Sequence, residues 1–323
     1  MKYAWPYLFS YILPILVIIS FNINDYFAFF PIFFYFGLLP IIELFMRPSN
    51  QRIDQIAAKK NKSFQYIALG TLPWLILCLI LFFFKIISTT MWTIEFWAYS
   101  LNMGLVLGVL GINVGHELGH SKDKTEVWVG KILLFFAWNA HFLPYHNLGH
   151  HKNVATDQDP ASAKKNELIY LFWLKSHFGS YYQSWQLDRK FMTGYTILSI
   201  VWITFIIIGF GTKIFIAYTI SAIFGIILLE TVNYIEHYGL RRESNRKRVL
   251  PKHSWNSDHL LSRLTLFNLS RHSDHHAKAS KKYQNLISVE DAPQLPTGYP
   301  GMMLLALFPP AYFILINRYL NQA

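Results

Sequence analysis

The feature that most limits what this chain can fold into is a set of long stretches without Asp, Glu, Lys or Arg. They cover residues 3–24, 26–42, 63–84, 96–116, 191–212 and 214–229. A helix that crosses a bilayer needs about 20 apolar residues, with a range near 17–25. Four of the runs reach that length outright. The runs 26–42 and 214–229 each continue past a single carboxylate, Glu43 or Glu230. The pattern predicts an all-α integral membrane protein with six transmembrane helices, at about 3–24, 26–46, 63–86, 96–116, 191–212 and 213–236. Charged residues make up 15% of the chain and hydrophobic residues 53%. Soluble domains run near ~25% charged, so both a soluble globule and a disordered chain are excluded.

Two further uncharged runs do not read as spans. Residues 132–151 carry His141, His146, His150 and His151, and residues 292–317 carry five prolines. Both are expected to be membrane-associated without crossing. The first run is too long for a secretory signal and has no small-residue cleavage site after it, so it reads as the first span.

Lys and Arg set the orientation, because cytoplasmic loops are enriched in them. Segment 47–62 holds Arg47, Arg52, Lys59, Lys60 and Lys62, and segments 117–190 and 239–291 hold nine and eleven basic residues. The opposite loops hold only Lys85 and Lys213. Counting Lys2 and Arg318, six spans put 27 of the 29 basic residues on one side. Both termini are therefore expected in the cytoplasm, with the chain in the inner (plasma) membrane. Segments 116–190 and 237–291 would form a cytoplasmic cap. With no linker or repeat, residues 1–323 read as a single domain. The net charge of +11 is thus a topology signal. No nucleic-acid recognition module accompanies it, and none is expected to bind.

Histidine is the other abundant signal, with 13 copies against one cysteine, Cys78. Thiolate metal sites are excluded. Four groups stand out: His116-Glu117-Leu118-Gly119-His120; His146-Asn147-Leu148-Gly149-His150-His151; His237 within Asn233-Tyr234-Ile235-Glu236-His237-Tyr238-Gly239-Leu240; and His272-Ser273-Asp274-His275-His276 after Arg271. All fall at or beyond the cytoplasmic ends of the fourth and sixth spans. Neutral imidazole is a common ligand for Fe, Cu, Zn and Ni. Nine imidazoles exceed what one ion accepts, and two metals fit the count. The first group formally matches the HExxH zinc-protease pattern, but that chemistry leaves the other groups unused. A metal transporter or sensor would place ionisable groups near the bilayer midplane, where this chain has few.

At these residues the chain closely resembles the membrane-bound alkane 1-monooxygenases, non-haem di-iron hydroxylases related to the membrane fatty acid desaturases. The family's HExxH, HNxGHH, NYIEHYGL and RHSDHH motifs occur in that order, and the resemblance covers about residues 30–290. Ordinary desaturases use HxxHH in the middle box, whereas this chain has HxxxHH. Tyr145, Ser121 and Ser270 stand where the family usually has Glu, Lys and Gln.

The resemblance implies two Fe ions held by His116, His120, His146, His150, His151, His237, His272, His275 and His276. It implies O2-dependent hydroxylation of the terminal carbon of medium- or long-chain n-alkanes to 1-alkanols. Electrons would come from rubredoxin and its NAD(P)H-dependent reductase. Hydroxylation of methyl-arenes or lipid acyl chains remains an alternative.

Ligating histidines usually donate their other N–H to an acceptor. Glu117, Glu236, Asp274, Asp157 and Asp159 are the candidates for that role. Substrate is expected to enter from membrane lipid past the aromatic second span, with Phe29, Phe33 and Phe36 lining its channel. In the family, bulk on this helix limits chain length. The run Arg241, Arg242, Arg246, Lys247 and Arg248 could dock an acidic electron carrier. His141, His177, His253 and His259 read as surface or supporting residues.

Overall fold

The computed structural model describes residues 4–50 and 55–321. Tyr3, with which the first run begins, and Lys2 and Arg52 of the charge count, lie outside the described residues. Among the described residues there is no strand, only an isolated bridge between Asn256 and Gln294.

Among the described residues, five helical stretches are long and apolar enough to cross a membrane. They are Asp25–Phe45 (α2), Ser63–Ser88 (α3), Ile94–Gly119 (α4), Arg189–Phe210 (α7) and Thr212–His237 (α8). The first predicted span appears as a shorter apolar helix, Trp5–Ser20 (α1), whose first turns are 3-10. The remaining helices used below are Lys124–Phe136 (α5), Ile169–Leu187 (α6), Leu260–Thr265 (α9), His272–Ala277 (α10), Tyr299–Ala306 (α11) and Pro309–Leu320 (α12).

The two uncharged runs set aside above are each broken. In 132–151, α5 stops at Phe136 and Trp138 takes a left-handed φ of 55°. In 292–317, α11 and α12 are separated at Leu307 and Phe308, just before Pro309 and Pro310. Proline lacks the N–H needed to continue a helix and clashes with the preceding turn.

Helix α4 is the axis of the molecule, and small residues let its neighbours approach. A Cβ on Gly104 would lie 2.8 Å from the Ser221 carbonyl of α8, and one on Gly225 would lie 3.1 Å from the Gly108 nitrogen. Farther along, a Cβ on Gly130 of α5 would lie 2.9 Å from the Gly115 carbonyl. Close backbone packing of this kind holds helices together where lipid removes the hydrophobic drive between them. By contrast α7 carries Ile197, Leu198, Ile200, Val201 and Ile208 on its exposed surface. A helix apolar on its outer face is matched to lipid.

The carboxylate at the end of α2 has a structural use. Glu43 is buried and accepts hydrogen bonds from the Ser262 backbone N–H at 2.7 Å and the Ser262 hydroxyl at 2.8 Å. It thereby satisfies the first turn of α9 and ties the 250–290 segment to the spans.

Candidate metal centre

Each histidine group sits on a helical turn that brings its rings to the end of α4 and α8. The last part of α4 contains a π-turn over Leu107–Asn113, immediately before the turn bearing His116 and His120. Single π-turns inside α-helices are frequent at functional sites. The second box is itself a π-turn, Tyr145–His150. Its i→i+5 pattern brings His146 and His151 together, with Nε2 atoms 3.0 Å apart. His237 ends α8, and His272, His275 and His276 lie on α10.

The nine imidazoles sort into two groups. His116, His120, His146, His151 and His275 form one, and His150, His237, His272 and His276 the other. Within each, the ligand atoms all lie within 4.8 Å of one another. The division cuts across the sequence boxes. His150 parts from its neighbours His146 and His151, and His275 from His272 and His276. A helical turn aims adjacent positions at different faces, so one box serves two centres.

The geometry fits metal ligation. Nε2 atoms meet at 3.0 Å for His116 and His275, 3.3 Å for His120 and His151, 3.2 Å for His150 and His276, and 3.1 Å for His237 and His272. Ligand nitrogens on metal–nitrogen bonds of about 2.0–2.1 Å stand roughly 3.0–3.4 Å apart, depending on the bond angle. Burial holds the rings neutral, as ligation requires. It pushes His120 down to about 4, and His146, His151, His272, His275 and His276 well below the ordinary imidazole range. Neighbouring imidazoles add to the effect.

The predicted supporting carboxylates separate. Asp159 is buried against His150, whose Nδ1 lies 2.9 Å from Oδ2. Ser162 donates to the same oxygen at 2.6 Å, and the Tyr145 hydroxyl donates to Oδ1. Burial by itself would raise Asp159, but its histidine and hydroxyl partners outweigh that and hold it at about 2. Glu236 also meets an imidazole, but from the other side: its Oε2 lies 3.2 Å from His272 Nε2. It therefore faces the point where the nitrogens converge and does not sit behind the ring. Tyr299 donates to its other oxygen at 2.8 Å.

Three carboxylates lie elsewhere. Glu117 accepts from the Tyr283 N–H at 2.9 Å, and Asp274 accepts from the Ile287 N–H at 2.8 Å and from Lys281 at 2.5 Å. Both fasten the 278–287 loop and touch no imidazole nitrogen. Asp157 is at the surface beside Lys164 and Arg241.

An apolar cavity runs up to the histidines. Tyr35, Phe36, Leu105, Val109 and Leu228 line it at one end, and His116, His146 and His272 at the other. Of the three aromatic residues predicted for the channel, only Phe36 lines this cavity. Phe33 is 65% exposed on the outer face of α2, and Phe29 packs into the helix core. Tyr35 also lines the cavity; it lies two residues from Phe33 and so on the opposite side of α2.

The basic run also divides. Arg241, Arg246, Lys247 and Arg248 are exposed, whereas Arg242 is buried and donates to the carbonyls of Val154, Lys152 and Lys247. Arg242 is thus an internal strut, which removes it from any docking surface. His141, His253 and His259 are buried rather than at the surface, and His253 Nδ1 accepts from the Leu250 N–H at 3.0 Å.

A helical membrane protein with two convergent histidine groups at the end of its spans defines a class. The sequence pattern of the family described as fatty acid desaturase matches residues 92–306. The chain is 35% identical over 296 residues to alkane 1-monooxygenase 1 of Alcanivorax borkumensis, covering 85% of this chain and 73% of that protein. It is 36% identical over 296 residues to alkane 1-monooxygenase of Pseudomonas putida, with the same coverage of 85% and 73%. Alkane 1-monooxygenase 2 of Alcanivorax borkumensis is 32% identical over 98% of this chain and 90% of its own length. The chain belongs to the alkane 1-monooxygenases of the fatty acid desaturase family, and is an oxidoreductase of the monooxygenase type.

Proposed function

We propose that this chain hydroxylates the terminal carbon of medium- or long-chain n-alkanes, giving 1-alkanols. The observation that carries this reading is the apolar cavity. Its histidine end draws His116 and His146 from one group and His272 from the other. A chain lying in it would present one end to both groups at once.

The nine histidines named above would hold two irons, five around one and four around the other. When bound, the irons supply the O2 reduction and oxidising power that an unactivated C–H bond demands and that side chains lack. The protein's own part is positioning. An alkane has no dipole to grasp, so its only handle is burial, worth about 0.8 kcal/mol per methylene. The cavity walls supply that burial along the chain and keep bulk water from the reacting end. Asp159 would fix the ring of His150, while Glu236 stands among the ligand atoms of the four-histidine group.

The reaction consumes one alkane, one O2, two electrons and two protons, and yields the alcohol and water. No redox group among the side chains supplies electrons, so rubredoxin and its NAD(P)H-dependent reductase are the proposed donors. The exposed Arg241, Arg246, Lys247 and Arg248 form the proposed landing surface. We place the chain in the inner membrane as one six-span hydroxylase domain, α1 included, with both termini and the histidines on the cytoplasmic side.

Product analysis tests this directly. Membranes containing the protein would receive rubredoxin, its reductase, NADH and a mixture of n-alkanes, a methyl-arene and a fatty acyl ester. Primary alcohols from the alkanes, with about two irons per chain, are the expected result. Benzylic or acyl products alone would move the substrate to another class. Absence of both iron and product would overturn the reading.

A further inference from the structure

The two histidine groups differ in their access to water. His150, His237, His272 and His276 are all buried, whereas His120 and His151 of the five-histidine group are partly exposed. A polar hollow of about 820 Å³ opens from the surface down to His120, and none of the other eight histidines lines it. The apolar cavity reaches His116, His146 and His272, but its largely apolar walls exclude a hydrated ion.

The chemistry of the hollow suits a cation at its base. Glu117 lies three residues before His120 and so on the same side of the helix. One of its oxygens accepts from the Tyr283 N–H, and the other carries no hydrogen bond among the described residues. The 278–285 stretch forms a wall of the hollow. Its Lys281 pairs with Asp274 at 2.5 Å and its Lys282 with Glu126 at 2.7 Å. These pairs neutralise two carboxylates and leave Glu117 as the oxygen donor beside His120. Lys62, Lys122, Asp123 and Lys278 stand exposed at the rim, where solvent screens their charge.

We propose that this hollow is the port through which a ferrous ion enters and leaves the five-histidine group. Glu117 takes the ion from water, and His120, at the base of the hollow, receives it. The four-histidine group has no port of its own. The five-histidine centre therefore exchanges its metal quickly and the four-histidine centre slowly.

The inference rests on the two-iron reading and is tested without turnover, on the iron-loaded full chain in nanodiscs. A sulfonated ferrous chelator is added and its coloured complex is followed. The wild-type protein should release iron in two phases of equal amplitude, the first at least about tenfold faster. His237→Ala, expected to keep only the five-histidine ion, should show the fast phase alone. Cys78 is the one cysteine of the chain and is buried, so a cysteine placed on the wall can be labelled selectively. Ala279 is partly exposed there. A bulky thiol reagent on Ala279→Cys should slow the first phase at least about fivefold, and a methyl-sized one should not. Ser280→Cys gives the same comparison where Ala279→Cys fails to fold. Glu117→Gln, which keeps an acceptor for Tyr283, should slow reloading with ferrous ion at least about fivefold while final iron content is unchanged. A single phase in the wild type, a first phase indifferent to label size, or only the slow phase in His237→Ala overturns the port. An unchanged reloading rate in Glu117→Gln removes that residue from the route. Two-phase release from a protein that makes no alcohol would overturn the functional reading alone.

Discussion

Asp159 Oδ2 sits 2.9 Å from His150 Nδ1, while the opposite nitrogen of the same ring points at His276 Nε2, 3.2 Å away. The carboxylate thus fixes which nitrogen of His150 faces the four-histidine group. Loss of such a partner typically costs 10–100-fold in metal affinity or activity. Asp159→Asn is expected to lower iron affinity by about that factor while the fold survives. Metal analysis after graded chelation, with circular dichroism as the control, checks it.

His237 stands alone in its segment, yet the structure places it within the four-histidine group. His237→Ala should reduce iron from about two toward one per chain and abolish turnover, because three imidazoles remain in that group. Full iron and full turnover in the variant would remove His237 from the ligand set.

Tyr35 and Phe33 are two residues apart on α2 and have opposite fates. Tyr35 lines the cavity and is 3% exposed, whereas Phe33 is 65% exposed. Tyr35→Ala should lengthen the preferred alkane by a few carbons, each added methylene gaining about 0.8 kcal/mol of burial. Phe33→Ala should leave the chain-length profile unchanged. Competition assays with alkanes of graded length read both.

The histidine groups make the metal-free protein acid-sensitive. His120 titrates at about 4 in the fold because burial disfavours its charged form, whereas an unfolded histidine titrates near ~6.5. Between those values the unfolded state binds more protons, so stability falls as pH falls. The slope is about 1.4 kcal/mol per pH unit for each histidine held neutral. Thermal unfolding of the metal-free protein should drop steeply from pH 6.5 toward 4. Iron should raise the whole curve without flattening it, since it binds only the folded, neutral rings and competes with their protons.

The basic surface gives a paired prediction. Charge reversal at Arg246 and Arg248 should raise the KM for the electron carrier and weaken its salt dependence, with iron content unchanged. Arg242→Ala should instead destabilise the protein, because the buried Val154 carbonyl and the partly buried carbonyls of Lys152 and Lys247 lose their donor. Steady-state kinetics at two ionic strengths, with melting curves, separate the effects.

Much of this protein follows from its sequence alone. Uncharged runs near bilayer length specify apolar helices, and clustered histidines without thiolates specify an imidazole-rich metal site, because both depend only on local composition and spacing. The family motifs carry the chemistry. Tertiary structure decided what spacing could not. Packing turned Tyr35 inward and Phe33 outward, and the π-turn over Tyr145–His150 brings His146 to His151 while His150 joins the other group. Which carboxylate serves a histidine depended on loop geometry that spacing does not encode. Asp159 reaches His150, while Glu117 and Asp274 are taken up by the 278–287 loop. Charge identity said nothing of burial, so Arg242 and Arg241 looked equivalent until packing separated them. The opening of His120 onto the polar hollow likewise needed the 278–287 loop laid against the end of α4, a contact that neither segment encodes by itself.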